Sequence, residues 1–260
     1  FVPQAYQLLV GAYARAQNWA KVMESADRAA ALPKADNKLK AFAYENAMVA
    51  GQQANNFEKI SEYGDKLLAV DSNNLNAMII LSSMIPERLP TDDAGKKAAL
   101  QKASDLATKA MAGVQQFFGQ PKPANVTDAQ WSQEKANLEG QLHGTLGFIR
   151  LNQQDYAKAI EEYDAALKIV PKDGVAHFRL GLAYQFQASD ASKLLLESIN
   201  AENAAKMARA DQVQIDELVA KRQGLEADAG GKRDKAVDEL AKAVALGGVV
   251  GQPARGQLEK

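Results

Sequence analysis

The two histidines, His143 and His177, are the side chains of this sequence best suited to proton transfer or to metal binding. They lie 34 residues apart, and each precedes a Leu-Gly pair by three residues. A metal ion held by histidines needs further ligands, often a carboxylate. The sequence shows no obvious carboxylate partner for either ring. We therefore predict neither a metal site nor an acid–base role at these positions.

Other residue patterns do not support catalysis either. Glu161 and Glu162 are adjacent on a predicted helix, so they point about 100° apart and are expected on a solvated face. The glycine-rich segment 247–251 lacks the Gly-Lys-Ser/Thr of a phosphate-binding loop. No serine lies in a nucleophile elbow, and the chain has no cysteine. We predict a non-enzymatic protein with no cofactor.

Charge and hydropathy exclude two further classes. The chain has 31 basic and 32 acidic residues among 260, and this balance does not fit a nucleic-acid-binding protein. No apolar run approaches the length of about 18 residues that a membrane span needs. The start at Phe1 and the lack of cysteine favour the bacterial periplasm, while a secreted or cytoplasmic location stays open.

The elements that position these residues are helices. Apolar residues recur at helical spacing, and no segment alternates as a strand does. One block is repeated, because Leu146-Gly147 returns as Leu180-Gly181 after 34 residues. Between the two copies the sequence has Ala159, Tyr163, Ala166 and Pro171. These residues and their period resemble the tetratricopeptide repeat (TPR) family.

The resemblance implies an all-α, right-handed solenoid of about five to six helix pairs that forms a single domain over residues 1–260. We predict helices at 128–152, 155–169 and 173–187, followed by one that ends near Ala208 and two more at 213–229 and 232–246. The predicted repeats are 3–34, 35–74, an irregular third repeat at 75–120, 127–171, 172–209 and 211–246, with a final helix beginning in 252–260.

In TPR arrays the first helix of each pair lines a concave groove, and the position of the two histidines is usually a packed aromatic residue. The resemblance therefore implies that His143 and His177 are packing residues. Members that hold the carboxylate tail of chaperones place Lys, Asn and Arg in the groove, and here Arg179 alone resembles them. The eight residues expected in the groove are Phe148, Leu151, Asn152, Phe178, Arg179, Leu182, Gln185 and Phe186. All except Arg179 are counted from the two Leu-Gly pairs.

An apolar groove leaves several functions open. The leading hypothesis is a scaffold that binds a protein partner, as a peptide or an amphipathic helix. The groove could also be filled by the chain itself, through the loop 119–127 or the last helix. A carrier of an apolar small molecule or lipid, a regulatory or assembly segment of a larger protein, and self-association are the alternatives.

Overall fold

The computed structural model describes residues 2–259, and Phe1 and Lys260, the ends of the predicted solenoid, lie outside them. Residues 2–259 contain helices and no strand, so the all-α prediction is confirmed. The helices are α1 Val2–Arg15, α2 Trp19–Ala30, α3 Asn37–Gln53, α4 Phe57–Val70, α5 Leu75–Met84, α6 Asp93–Phe118, α7 Asp128–Asn152, α8 Tyr156–Ile169, α9 Gly174–Met207, α10 Gln212–Leu246 and α11 Gly251–Leu258. Short 3-10 helices occupy Ile85–Glu87 and Gly248–Val250.

The chain divides into two compact units, Phe1–Lys135 and Ala136–Lys260. The boundary falls inside α7, so the larger part of that helix belongs to the second unit. The single array predicted over residues 1–260 stays a prediction.

The first unit is built from helix pairs that pack through small residues. Its core includes Ala26, Ala43 and Ala47, all fully buried, and alanine lets neighbouring helices approach closely. Tyr63 is the largest side chain in this core, and its hydroxyl donates a hydrogen bond to Asp27 at 2.8 Å. Burial is the main reason that the pKa of Tyr63 is raised.

The third pair is irregular, as predicted. Helix α5 ends at Met84, and the 3-10 helix that follows contains Pro86, which cannot donate a backbone hydrogen bond. Asp92 then caps α6 by accepting a hydrogen bond from the Gly95 amide at 2.7 Å. Helix α6 has 26 residues, whereas α4, the second helix of the preceding pair, has 14. The second helix of the third pair is therefore unusually long.

The same turn joins the two helices of three pairs. Gln17, Asn55 and Gln154 have positive φ values of 54°, 51° and 62°, and the next residue in each case caps the following helix. The caps accept hydrogen bonds from the third residue of the helix at 3.1–3.3 Å. The caps are Asn18, Asn56 and Asp155. This repeated turn is the structural counterpart of the sequence repeat.

The second unit shows why the Leu-Gly pairs recur. A Cβ atom at Gly147 would lie 2.8 Å from the ring of Tyr163, and one at Gly181 would lie 2.8 Å from Leu240. Each glycine therefore lets the second helix of its pair approach closely. Gly147 and Tyr163 are separated by 16 residues, whereas Gly181 and Leu240 are separated by 59. The fifth pair thus contains 43 additional residues.

These residues correct the predicted repeats 172–209 and 211–246. Each of these ranges contains one long helix instead of a pair, and α9 and α10 together form one repeat with a long hairpin inserted at its turn. The predicted break at Gly230-Gly231 is absent, although two helix-interior glycines cost about 1 kcal/mol each relative to alanine. Packing of the buried Ala229 and Ala236 on either side keeps α10 continuous.

Polar contacts join the two arms of this inserted hairpin. Glu202 is buried on α9 and accepts hydrogen bonds from Lys206 at 2.5 Å and from Arg222 of α10 at 2.8 Å. These two cations lower the pKa of Glu202. Nearer the body of the unit, Arg233 of α10 donates to the Ser192 hydroxyl at 2.9 Å.

Candidate functional site

Four of the predicted groove residues lie on one side of the second unit. Arg179, Leu182 and Phe186 are three and four residues apart on α9, so they share a helix face. Phe148 of α7 contacts this face, because the guanidinium carbon of Arg179 lies 3.7 Å from the centre of its ring. That distance is within the range of a cation–π interaction.

Tyr156 also belongs to this side, although it is not among the predicted groove residues. Its ring stacks on Phe186 with centroids 5.2 Å apart and an interplanar angle of 20°. Phe186 remains 44% exposed, so the stacked pair faces solvent. We call Phe148, Tyr156, Arg179, Leu182 and Phe186 the aromatic face. The sequence signal that could have identified Tyr156 is its position at the start of α8, directly after the turn residue Asp155.

The other predicted groove residues lie elsewhere. Phe178 packs against a buried cluster of Leu240, Ala243 and Ala254, so the last helix, α11, covers it. Leu151 packs against the core between α8 and α9. Gln185 lines a cavity between α9, α10 and α11. Asn152 donates its amide to the backbone oxygen of Phe148 at 2.9 Å, which holds the end of α7.

The eight predicted residues therefore do not form one surface. On α9, positions 178 and 185 face α10 and α11, while positions 179, 182 and 186 are centred about 80° further around the helix. The offsets taken from the Leu-Gly pair assume a repeat of ordinary length, in which the second helix follows directly after residues 173–187. The long second arm of the hairpin buries a further side.

Each histidine has a carboxylate partner, which corrects the expectation that none is near. His143 Nδ1 is 2.7 Å from Glu162, and His177 Nδ1 is 2.5 Å from Glu239. The partners are 19 and 62 residues away along the chain, and this difference again equals the 43-residue insertion. Glu162 is therefore not on a solvated face. The two pairs are equivalent contacts, because each joins the first and the second helix of a single repeat.

The ring of His177 has no free nitrogen. Its Nε2 contacts the backbone oxygen of Pro171 at 3.1 Å, and a carbonyl oxygen can only accept, so Nε2 carries a proton. Its other nitrogen, Nδ1, is hydrogen-bonded to Glu239. The side chain is only 8% exposed. Both ring nitrogens of His177 are therefore in contact with protein atoms, and the ring joins α9 to α10 and to Pro171.

The surroundings of this pair are acidic. The pKa of Asp164 is raised, first by burial and then by the charge of Glu239. Burial also raises the pKa of Tyr184, with smaller contributions from Asp164 and Glu239. The ionised form of Asp164 is therefore disfavoured in the folded protein.

Residues 2–259 contain no group of three or more His, Asp or Glu side chains placed to hold a metal ion. Within the same range, every helix is too short or too polar to cross a membrane.

One of the comparisons with known proteins, the comparison with family models, agrees with the repeat seen in the structure. No curated protein matches the chain. A solved structure of a TPR repeats protein from Bacteroides fragilis NCTC 9343 aligns with 99% of this chain and 97% of its own, at 19% sequence identity and a TM-score of 0.37. A family model described as a TPR repeat matches residues 147–187, which include the end of α7, α8 and the start of α9. The chain is therefore an all-helical protein in which residues 147–187 are similar to a tetratricopeptide repeat.

Proposed function

We propose that the chain is a non-catalytic scaffold whose second unit binds a peptide or an amphipathic helix through the aromatic face. TPR domains typically bind protein partners, and that general role fits the repeat at residues 147–187. The observation that carries the proposal is the exposed Phe186, stacked on Tyr156 beside the Arg179–Phe148 pair. Aromatic residues and arginine are the side chains that most often dominate binding energy at protein interfaces.

The spacing of the aromatic face suits a helical partner. Arg179 and Phe186 are seven residues apart, so the two aromatic pairs are separated by about 10 Å along α9. An amphipathic helix presents apolar side chains at positions i and i+7 with the same separation. A carboxylate tail fits less well, because Arg179 is the one cation among the five residues of this face and already stacks on Phe148.

The test is a selection of binders from a displayed library of amphipathic helical peptides, followed by measurement of affinity for variants. Removing an interface hot spot costs about 2 kcal/mol or more, which is roughly thirtyfold in Kd. We expect Phe186→Ala to weaken the selected peptides by this factor. Leu194→Ala, at a 52% exposed residue of the same helix, is the matched control and should leave affinity unchanged. Peptides that bind both variants equally well would show that the aromatic face is not the binding site.

A second candidate, a carrier of an apolar small molecule, is favoured by one feature. A cavity of about 350 Å³ lies on the side of α9 that faces α10 and α11. If the chain is a segment of a larger protein, the aromatic face and this cavity would be binding surfaces of that larger protein.

A further inference from the structure

The cavity between α9, α10 and α11 combines apolar walls with one cation. Ala188 of α9, Ala236 and Leu240 of α10 and Leu258 of α11 supply apolar surface. Val237 is 56% exposed and stands at the rim. A ligand cavity typically has such walls and a few polar groups that fix orientation. All of these residues belong to the second unit.

Arg233 is the one charged residue that lines the cavity, within the part of the chain that the structure describes. Its Nη2 donates to the Ser192 hydroxyl, which in turn donates to the backbone oxygen of Ala188 at 2.7 Å. Over residues 2–259, no carboxylate pairs with Arg233, and most of its five N–H donors remain available. The amides of Gln185 and Gln257 line the same space.

Arg233 has a counterpart in the preceding repeat. Matching the two histidine–glutamate pairs places Arg233 at the position that Tyr156 occupies in the preceding repeat. In that repeat, Tyr156 stacks on Phe186. In the fifth repeat a cation takes the place of the ring, and the space beside it is open. The cavity thus differs in chemistry from its counterpart one repeat earlier.

We propose that this cavity binds a small monocarboxylate with a linear apolar tail of medium length. The tail lies against Ala188, Ala236 and Leu240, and the carboxylate accepts hydrogen bonds from the guanidinium of Arg233. An ionised acceptor on a guanidinium gives a stronger bond than a neutral one. The volume of about 350 Å³ equals that of roughly 12 water molecules, which is enough for a chain of eight to ten carbons.

The proposal does not rest on the peptide-binding function, because the cavity and the aromatic face share no residue. Octanoate is the probe, and titration calorimetry on the intact chain is the measurement. We expect one saturable site, with octanol and octylammonium binding at least about tenfold more weakly because they cannot form the charge-assisted bond. Phe186→Ala should leave octanoate binding unchanged.

Three variants locate the site. Arg233→Gln should weaken octanoate by about tenfold, because it removes the charge and keeps most of the side chain. Arg255→Gln makes the same change on α11, at a residue outside the cavity lining, and should have no effect. Val237→Trp should block the cavity from its exposed rim without disturbing the core. Circular dichroism of each variant confirms that it is folded.

Several results would overturn the assignment. They are the absence of saturable octanoate binding, equal binding of octanol, and unchanged affinity in Arg233→Gln. Tighter binding of an acetylated tripeptide that ends in leucine would assign the cavity to a peptide carboxyl terminus instead.

Discussion

Substitution of Gly147 by alanine tests the contact that defines the repeat. The new Cβ would lie 2.8 Å from Cε1 and 2.9 Å from Cδ1 and Cζ of Tyr163, and that ring is fully buried, so it cannot swing into solvent. Overpacking of this kind costs about 1–3 kcal/mol. Replacing a glycine inside a helix by alanine also stabilises the helix by about 1 kcal/mol, because alanine has the higher helix propensity.

Gly144 provides the matched control, because it lies in the same helix and a Cβ there would meet nothing within 4 Å. Gly144→Ala should therefore stabilise the protein by about 1 kcal/mol. Both variants gain the same propensity, so the difference between them isolates the packing cost and should be about 1–3 kcal/mol.

The assay is urea unfolding followed by circular dichroism, with the slope m compared between variants. If Gly147→Ala is as stable as Gly144→Ala, the close approach of Tyr163 to α7 does not constrain the repeat, and the reasoning fails. A rise in stability of the first variant above the second would contradict it more strongly.

Three other changes probe the rest of the chain. Asp164→Asn should stabilise the protein at pH 7, by less than about 1 kcal/mol. The raised pKa of Asp164 makes its ionised form unfavourable in the folded state, so the gain should vanish below the ordinary carboxyl pKa of about 3.9, and thermal melts at pH 3.5 and 7 decide this. Deletion of 190–232, combined with Ala188→Gly to permit a positive-φ turn, should leave a folded protein with a single cooperative melt, since it restores an ordinary repeat; loss of helical signal beyond the deleted residues would contradict this. Asp36→Ala should cost about 1 kcal/mol in urea unfolding, because it removes the cap on the Leu39 amide at 2.8 Å, and an unchanged midpoint would show that the cap contributes nothing.

Local sequence signals predicted the helices well where the repeat is compact. Helix α7 was expected at 128–152 and α8 at 155–169, and the structure has Asp128–Asn152 and Tyr156–Ile169. The capping residue Asp155 and the Leu-Gly contact act within a single helix pair, so nearby residues carry the information. The irregular third pair was also predictable from a local signal, because Pro86 indicates the end of its first helix.

The inserted hairpin was not predictable by the same means. The sequence indicated a second helix of a repeat at 232–246, and the structure confirms that a helix covers these residues. Its partner was misassigned, because the partner of Leu240 is Gly181, far away in sequence. A long helix and two short helices have similar periodic patterns, and only the tertiary contact distinguishes them.

The candidate site was predictable in part for the same reason. Offsets from the Leu-Gly pairs identified Phe148 and Phe186, and likeness to a clamp residue identified Arg179; the rings of both phenylalanines and Arg179 lie on the aromatic face. They could not show that Phe178 would be covered, because its cover comes from Ala254 on the last helix. Whether a side chain faces solvent depends on residues that are distant in sequence.

The insertion in the fifth repeat also has a kinetic consequence. The histidine and glutamate that join its two helices are 62 residues apart, against 19 in the fourth repeat. Closing the longer loop from an unfolded chain costs about 1 kcal/mol more in entropy. A hairpin that first forms at its tip and then zips towards Gly181 avoids most of this cost, because each step closes only a short loop. We therefore expect the tip of the inserted hairpin to form before the His177–Glu239 contact at its base, and amide protection during refolding to appear in that order.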